Sequence, residues 1–102
     1  MQNLLGIDIG TQGVKAALYS AEGECRAEAF EPSRPFHPSA GAVEEDPEFQ
    51  LQSTCRLIRE CLEKSGEREV AAMAIAGQMA GVIGVGPDGV AVTPYESWLD
   101  TR

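Results

Sequence analysis

The sequence predicts an α/β fold in which a mixed sheet carries one crossover helix. Three short apolar stretches, at roughly 3–9, 13–20 and 24–31, are separated by turn residues of hairpin length, which predicts an antiparallel three-strand meander. A helical periodicity runs from about 47 to 64 and is followed by an apolar stretch at 69–77. Because a strand–helix–strand unit brings its strands together in parallel by a right-handed crossover, we expect the last stretch to pair parallel with a strand of the meander.

The composition predicts one small globular domain with a negative charge. The chain has 102 residues, of which 43% are hydrophobic and 24% charged, and this is enough for one core. A net charge of −8 disfavours nucleic acid and membrane surfaces as partners, since long-range electrostatics would repel both. The sequence begins with no basic region followed by a long apolar run, and we expect a cytoplasmic protein.

Several features of the sequence predict packing rather than chemistry. The first two strand-like stretches are apolar on both sides of the alternation, so we expect both faces of the sheet to be covered. Residues 32–46 contain three prolines and no periodicity, and they are expected to form an ordered surface loop that includes His37. Cys25, Cys55 and Cys61 form no Cys-x-x-Cys pair and are expected to be reduced core residues.

The predicted helix has capping residues at both ends. Asp46 is a good N-cap, Pro47 suits the first helical position, and Glu48 lies near the positive end of the dipole. Ser65 and Gly66 are expected to end the helix. Apolar residues at steps of three and four predict the face that packs on the sheet. The members of this stripe are Thr54, Leu57, Ile58, Cys61 and Leu62.

The segments after the helix predict a buried strand, a hairpin and the start of a second helix. The stretch EVAAMAIAG, at 69–77, is expected to be a buried strand. GVIGVG at 81–86 and VAVTP at 90–94 are expected to pair across a turn at 87–89. A helix is expected to start in YESWLDTR, at 95–102.

An acid and a glycine-rich turn lie between the first two predicted strands, in the stretch GIDIGTQGVK. Glycines there let backbone N–H groups approach an anion, and the threonine and glutamine between them add polar groups. The aspartate could hold Mg2+ through water while the lysine supplies one cation. These residues are Asp8, Gly10, Thr11, Gln12, Gly13 and Lys15. On turn chemistry alone the alternative stays open: a plain hairpin with a solvated acid and a surface lysine.

Two common nucleotide motifs are absent from the sequence. It contains no Gly-x-x-x-x-Gly-Lys-Ser/Thr, and the turn leads into a predicted strand, whereas a P-loop leads into a helix. GVIGVG lacks the Gly-x-Gly-x-x-Gly spacing and precedes another strand, so it does not fit a dinucleotide fingerprint. Because the net charge of −8 gives no general attraction for anions, any phosphate ligand is expected to be held locally, by backbone dipoles, a metal ion or one well-placed cation.

Three segments, in order, resemble the FGGY carbohydrate kinases of the actin/Hsp70/sugar-kinase superfamily, particularly the xylulose kinase branch. GIDIGTQGVKAALYSAEGE is similar to their first phosphate-binding hairpin, and EEDPEFQLQ to the start of their helix. IAGQMAGVIGVGPDGVAVTPYESWLDTR is similar to their Gly-Gln-Met segment, hairpin and Trp-x-Asp-x-Arg segment. The resemblance implies an actin-like ATPase (ribonuclease H-like) domain. Residues 1–102 would be the N-terminal portion of the first lobe, with the rest of that lobe and the second lobe absent.

The resemblance implies a transferase that moves the γ-phosphate of ATP to a sugar or polyol hydroxyl, with ATP and Mg2+ as cofactors. Asp8 would position Mg2+, and Thr11, Gln12 and Lys15 would lie near the transferred phosphate. The residues implied for the carbohydrate pocket are Gln78, Met79, Trp98, Asp100 and Arg102. An indole face suits the C–H side of a sugar, whereas carboxylate and guanidinium groups hydrogen-bond hydroxyls. The implied partners are the carbohydrate, the nucleotide and, for the full-length protein, a second copy in a homodimer.

The resemblance leaves the sugar and the catalytic base open. Xylulose kinases typically carry His after Gly-Gln-Met, where this chain has Ala80, so a different sugar or polyol also fits. Related kinases use an Asp base beyond the matching region, and none of Asp8, Asp46, Asp88 and Asp100 matches it, so the chain alone is expected to be inactive. Two alternatives are an ATPase activator of the same superfamily, whose cluster-ligating cysteines this spacing does not offer, and a non-catalytic nucleotide-binding module.

Overall fold

The computed structural model describes residues 2–102 as a four-stranded mixed sheet with one helix on its face, and a separate two-stranded sheet. The elements are β1 (Asn3–Ile9), β2 (Gly13–Ser20), β3 (Cys25–Pro32), β4 (Glu44–Glu45), α1 (Pro47–Ser65), β5 (Ala72–Gly77) and β6 (Tyr95–Glu96). The larger sheet has the strand order β3-β2-β1-β5, and the smaller sheet pairs β4 with β6.

The antiparallel meander and the parallel crossover are confirmed. β1 pairs antiparallel with β2, and β2 pairs antiparallel with β3. After α1 the chain returns as β5, which pairs parallel with β1 from Leu4 opposite Ala72 to Ile9 opposite Gly77. Parallel neighbours require such a crossover, whereas the antiparallel pairs need only short turns. This topology brings the carboxyl ends of β1 and β5, together with the β1–β2 turn, to one end of the sheet.

α1 begins and ends at its predicted caps, one residue longer than predicted. The Asp46 carboxylate accepts a hydrogen bond from the Glu48 N–H at 3.0 Å, and Pro47 lies in the first turn. At the other end Gly66 has φ 75°, and its N–H donates to the Leu62 carbonyl at 3.0 Å. Glycine adopts this left-handed conformation without the penalty that a Cβ imposes. Within the described part of the chain no helix combines the length and apolar character needed to cross a membrane.

One face of the sheet packs against α1 and forms the core. The buried residues of this core are Leu5, Ile7, Val14, Ala16, Leu18, Ala29, Leu57 and Cys61. Because side chains alternate along a strand, the intervening residues point to the other face. That face is an open depression of about 350 Å³ whose lining includes Gly6, Asp8, Lys15 and Ala74. The expectation that both faces are covered is therefore wrong for residues 2–102.

β5 pairs as predicted, but it is not buried. All six of its residues are exposed, Ile75 to 63% and Met73 to 55%. α1 packs mainly over β2 and β3, and β5 is the last strand of the sheet within the described residues. The prediction of burial was wrong because an apolar sequence is compatible with a buried strand but does not by itself bury it. A strand is buried only where other elements pack on its faces.

The hairpin after β5 is shorter than predicted. Its turn is present, since the Gly86 N–H donates to the Val90 carbonyl at 2.9 Å and the Gly89 N–H donates to the Gly86 carbonyl at 3.0 Å. Gly89 has φ 81°, a backbone conformation that favours glycine. Pairing of the two flanking runs is limited to a bridge between Val85 and Ala91, together with local hydrogen bonds.

The final segment is extended rather than helical at its start. β6 pairs antiparallel with β4, which lies inside the loop predicted at 32–46. The Ser97 N–H continues this pairing by donating to the Val43 carbonyl at 3.0 Å. The helix expected in 95–102 is therefore wrong, because main-chain groups that a helix would use bond to the loop instead.

The cysteines differ in burial. Cys61 is fully buried and its thiol donates to the Ala16 carbonyl at 3.5 Å, whereas Cys25 and Cys55 are exposed. Burial raises the pKa of the Cys61 thiol. The core prediction is therefore confirmed for Cys61 and wrong for the other two, and all three thiols are free as expected. His37 lies in the loop, as predicted.

Candidate active site

The β1–β2 turn is held by its own backbone and by a serine from the chain after β3. The Gly10 N–H donates to the Gly13 carbonyl at 2.9 Å. The Ser33 N–H donates to the Gln12 carbonyl at 3.0 Å, and the Ser33 hydroxyl donates to the Thr11 carbonyl at 2.9 Å. Two carbonyls at the tip are thereby satisfied within the protein. Ser33 is not among the residues predicted from sequence, because no local pattern links it to a turn some twenty residues earlier.

The two glycines of the turn differ in the space that a Cβ atom would find. A Cβ on Gly13 would overlap the Glu31 carbonyl oxygen and lie 2.6 Å from Cζ of Phe30, so close packing against β3 requires glycine there. A Cβ on Gly10 would meet the Asp8 carboxylate at an ordinary 3.6 Å. The role of both glycines in letting backbone N–H groups approach an anion therefore remains a prediction. At position 13, packing against β3 already explains why the residue is glycine.

The Asp8 carboxylate is free for a ligand. Asp8 is exposed near the end of β1, and within residues 2–102 its side chain makes no hydrogen bond or ion pair. Mg2+ in nucleotide sites is usually bound through one or two carboxylates, waters and phosphate oxygens. No group of three or more acidic, histidine or cysteine side chains in the described chain could enclose a metal ion. The donor set fits an ion shared with a phosphate rather than a protein cage.

Lys15 lies opposite Asp8 in the β1–β2 register, but its ammonium group has another partner. Its Nζ is 3.5 Å from Oε2 of Glu28 on β3, and both side chains are about half exposed. An exposed pair of this kind contributes only about 0–1 kcal/mol, so it does not fix the lysine firmly. A role for Lys15 near a phosphate stays a prediction.

The turn is in direct contact with two of the residues predicted for the carbohydrate pocket. The Trp98 indole N–H donates to the Thr11 hydroxyl oxygen at 3.0 Å. The Gln78 amide donates to the Gly10 carbonyl at 3.3 Å. Met79, which follows Gln78, is 81% exposed and holds its side chain free of the core. The structure therefore brings two of the predicted phosphate residues, Gly10 and Thr11, together with two of the predicted carbohydrate residues, Gln78 and Trp98.

A buried glutamate joins this region to α1. Glu45 is only 5% exposed, and its carboxylate accepts from the Gln78 amide at 3.1 Å and from the Gln50 amide at 3.4 Å. Tyr95 packs nearby, and burial, followed by the charge of Glu45, raises the pKa of its phenol. Oε1 of Gln78 and Oη of Tyr95 are buried without a hydrogen-bond partner among the described residues. Glu45 was not predicted from sequence, since it stands beside the helix cap with nothing local to indicate burial.

Asp100 and Arg102 form a clamp between the final segment and the loop before α1. The Asp100 carboxylate accepts from the Val43 N–H at 2.9 Å and from the Arg102 guanidinium at 2.6 Å. Arg102 also donates to Glu44 at 2.6 Å. The Arg102 hydrogen bonds, and then the Val43 N–H, hold the pKa of Asp100 well below its usual range, while the same carboxylates raise the pKa of Arg102. Direct contact of these two residues with a sugar stays a prediction, since the Asp100 carboxylate and the Arg102 guanidinium already form hydrogen bonds within the protein.

The residue after Gln78 and Met79 has an unusual backbone. Ala80 has φ 62°, the left-handed region that residues with a Cβ seldom adopt. The next residue, Gly81, admits no Cβ because it would overlap the Tyr95 ring. Packing against Tyr95 therefore constrains the chain where the carbohydrate pocket is predicted.

Comparisons with known proteins show which family this chain is similar to. A profile of the N-terminal domain of the FGGY family of carbohydrate kinases matches residues 3–102. The chain is 36% identical over 98 residues to the xylulose kinase of Escherichia coli (strain K12), covering 96% of this chain and 20% of that enzyme. It is 39% identical over 77 residues to the glycerol kinase of Citrifermentans bemidjiense, covering 76% of this chain and 15% of that enzyme.

The fold agrees as well. The ligand-bound crystal structure of xylulose kinase from Lactobacillus acidophilus superposes with a TM-score of 0.89 at 27% identity, covering 98% of this chain and 20% of that one. The match defines the fold as that of the N-terminal domain of these actin-like ATPase kinases, as predicted. The chain belongs to the FGGY family of carbohydrate kinases. It spans about a fifth of the length of the xylulose kinases it matches.

Proposed function

We propose that this chain supplies the phosphate-binding turn and part of the carbohydrate pocket of an ATP-dependent sugar or polyol kinase. The observation that carries the proposal is the hydrogen bond from the Trp98 indole to the Thr11 hydroxyl. It joins a residue predicted to contact carbohydrate with a residue predicted to contact phosphate. Phosphoryl transfer requires these two ligands to be held next to each other with their reacting atoms in line. Family membership supports the same reaction.

On the phosphate side, the turn residues and Asp8 have separate tasks. Backbone N–H groups at the tip, together with the Thr11 hydroxyl and the Gln12 amide, bind the terminal phosphate. The Asp8 carboxylate would hold a Mg2+ ion, and Lys15, which pairs with Glu28 in this structure, would face the phosphate. When bound, Mg2+ neutralises charge on the phosphate oxygens.

On the carbohydrate side, exposed apolar groups and held polar groups line the pocket. The half-exposed indole of Trp98 and the exposed side chain of Met79 contact the C–H face of the carbohydrate. The Glu45 carboxylate holds the Gln78 amide. The segment that carries Trp98 is fixed to the loop before α1, because Asp100 accepts from the Val43 N–H and Arg102 donates to Glu44. Ala80 stands where xylulose kinases typically carry His and has no polar group to bond a hydroxyl, so a sugar or polyol other than xylulose also fits.

We also propose that residues 1–102 are the N-terminal portion of the first of two kinase lobes, in a cytoplasmic protein that forms a homodimer when complete. The base that accepts the hydroxyl proton would come from another part of that protein, as the resemblance implies. Domain closure would then exclude water from the reacting phosphate. The 102-residue chain mixed with ATP, Mg2+ and sugars should give no sugar phosphate, and measurable turnover would contradict this division of labour.

The experiment that tests the function is phosphorylation of a panel of pentuloses, hexuloses and polyols, including D-xylulose and glycerol, by the full-length protein. We expect ATP-dependent formation of a sugar or polyol phosphate, and a loss of about 100-fold or more in kcat/KM for Asp8→Ala. Asp88→Ala, in the exposed turn after β5, serves as the matched control and should retain activity.

The same assay separates the two alternatives. ATP hydrolysis that no member of the panel stimulates or consumes would favour an ATPase activator. Nucleotide binding without turnover, with partner affinity unchanged in Asp8→Ala, would favour a non-catalytic module.

A further inference from the structure

We propose that Trp98 is a positioning residue that couples carbohydrate binding to the phosphate turn by orienting the Thr11 hydroxyl, an inference that rests on the proposed function. The indole N–H is a donor only, so the Thr11 oxygen must act as the acceptor in their 3.0 Å hydrogen bond. The hydroxyl proton of Thr11 then has to point elsewhere. It bonds to no other group within residues 2–102, which leaves it available to a phosphate oxygen beside the tip.

Trp98 acts on the side chain of Thr11 and not on the shape of the turn. The turn backbone is already held by the hydrogen bond between Gly10 and Gly13 and by the two hydrogen bonds from Ser33. Thr11 itself can then move only by rotation of its side chain. Loss of the indole N–H should therefore leave the fold and the turn intact and release only the hydroxyl.

Trp98 also presents an exposed ring surface on which a carbohydrate can pack. Its side chain is 53% exposed, while its chain neighbour Ser97 is buried and bonded through its N–H to the Val43 carbonyl. The indole edge thus bonds to Thr11 while part of the ring stays open to solvent. A carbohydrate that packs on this open surface restricts the indole, and the restricted indole restricts the Thr11 hydroxyl.

Linkage makes the coupling reciprocal. If carbohydrate binding raises the affinity for the nucleotide phosphate, then nucleotide binding raises the affinity for carbohydrate by the same factor. One hydrogen bond contributes about 0.5–1.5 kcal/mol, which sets an expected coupling of about 2- to 12-fold. This role is additional to a platform for sugar, because a platform alone would leave nucleotide affinity unchanged.

The contact itself is tested first, in the 102-residue chain, which contains a single Trp. The indole N–H resonance in a 15N-labelled sample should be protected from hydrogen exchange, and Thr11→Ser should keep that protection. Thr11→Val removes the acceptor at constant shape and should lose it. Equal exchange of the indole in the Ser and Val variants would overturn the contact, whatever the protein's activity.

The coupling is tested in the full-length protein, with the panel carbohydrate that is phosphorylated fastest and a non-hydrolysable ATP analogue. Analogue affinity with and without saturating carbohydrate should differ by at least about 2-fold in the wild type and in Thr11→Ser. In Trp98→Phe, which keeps an aromatic ring without the N–H, the ratio of the two affinities should fall by about 2- to 12-fold while carbohydrate still binds. A ratio of one in the wild type, or an unchanged ratio in Trp98→Phe, overturns the coupling. If no panel member is phosphorylated, the proposed function fails, and the indole exchange measurement still supports or overturns the contact independently.

Discussion

Individual residues of the β1–β2 turn are constrained by contacts that lie outside the turn. Gly13 faces the main chain of β3, Thr11 accepts from an indole that is 87 positions away in sequence, and Gly10 accepts from Gln78. Such contacts set the geometry of a tip whose own sequence is short and polar. Substitutions at this scale therefore act through sterics and single hydrogen bonds rather than through the core.

Gly13→Ala should destabilise the chain by about 1–3 kcal/mol or more. The added Cβ overlaps the Glu31 carbonyl oxygen and crowds the Phe30 ring, so β2 and β3 must separate locally. The measurement is the free energy of unfolding in urea. Gly6→Ala is the matched control, because a Cβ there meets nothing within 4 Å and should cost little. Equal effects at the two positions would contradict the prediction, because they would show that β3 shifts to accommodate the added methyl group without cost.

Asp100 should make the stability of the chain sensitive to acid. The Arg102 and Val43 hydrogen bonds depress the folded-state pKa of this carboxyl, so its contribution is fully present above the unfolded value, near 3.8. That contribution is lost as the pH falls through 3.8 towards the lower folded pKa. Unfolding midpoints measured from pH 6 to pH 3 should fall less steeply in Asp100→Asn than in the wild type. Glu22→Gln, in the exposed turn after β2, should leave the profile unchanged.

The elements are specified largely by their own ends and faces. α1 combines a capping aspartate, a proline in its first turn and a left-handed glycine at its end, with one apolar stripe towards the sheet. β1 and β2 alternate between this core and the open face. Since each of these signals lies within a few residues of its effect, α1, β1 and β2 form where the pattern predicts them.

Removing the N-cap of α1 should cost about 1 kcal/mol. Asp46→Ala deletes the acceptor of the Glu48 N–H, which is then left without a side-chain partner in the first turn. Thermal and urea unfolding monitored by the helical circular dichroism signal give the change. Asp46→Asn retains a capping oxygen and should recover most of the loss. Glu63→Ala, at an exposed position within the helix, is the control for replacing an acidic residue by alanine without removing a cap. A loss no greater than in this control would mean that the cap contributes nothing.

At the scale of the whole molecule, residues 2–102 leave one strand and one sheet face without cover. β5 is an edge strand with apolar side chains exposed on both of its faces. The opposite sheet face, which carries Asp8, is open as well. Exposed apolar edges of this kind favour pairing with another strand.

The 102-residue chain should therefore self-associate through β5. Ile75→Lys places a charge on the exposed edge strand, where the side chain is 63% exposed, and should shift the chain towards monomer. Sedimentation velocity over a concentration series measures the change. Leu51→Lys is the matched control, since Leu51 is 58% exposed on α1, away from the edge. An equal shift in both variants would indicate general charge repulsion and would contradict a role for β5.

The sequence determined the antiparallel meander, the helix with its caps, and the parallel strand that follows it. Strand alternation, the helix caps and the order of meander, helix and parallel strand are readable because they depend on residues close together in the chain. The resemblance that pointed to the FGGY family also rests on contiguous segments, and the family match confirms it. Prediction failed in 95–102, where a helix was expected, because the β4–β6 pairing uses those main-chain groups.

Tertiary structure alone decided which side chains meet and which are covered. The Glu45 contact with Gln78 and the Trp98 contact with Thr11 link positions 33 and 87 residues apart, and no local pattern encodes either one. The same holds for burial, since an apolar strand such as β5 is buried only when another element packs on it. The physical reason is that hydrogen bonds and apolar packing are short-range in space, so the path of the whole chain settles them.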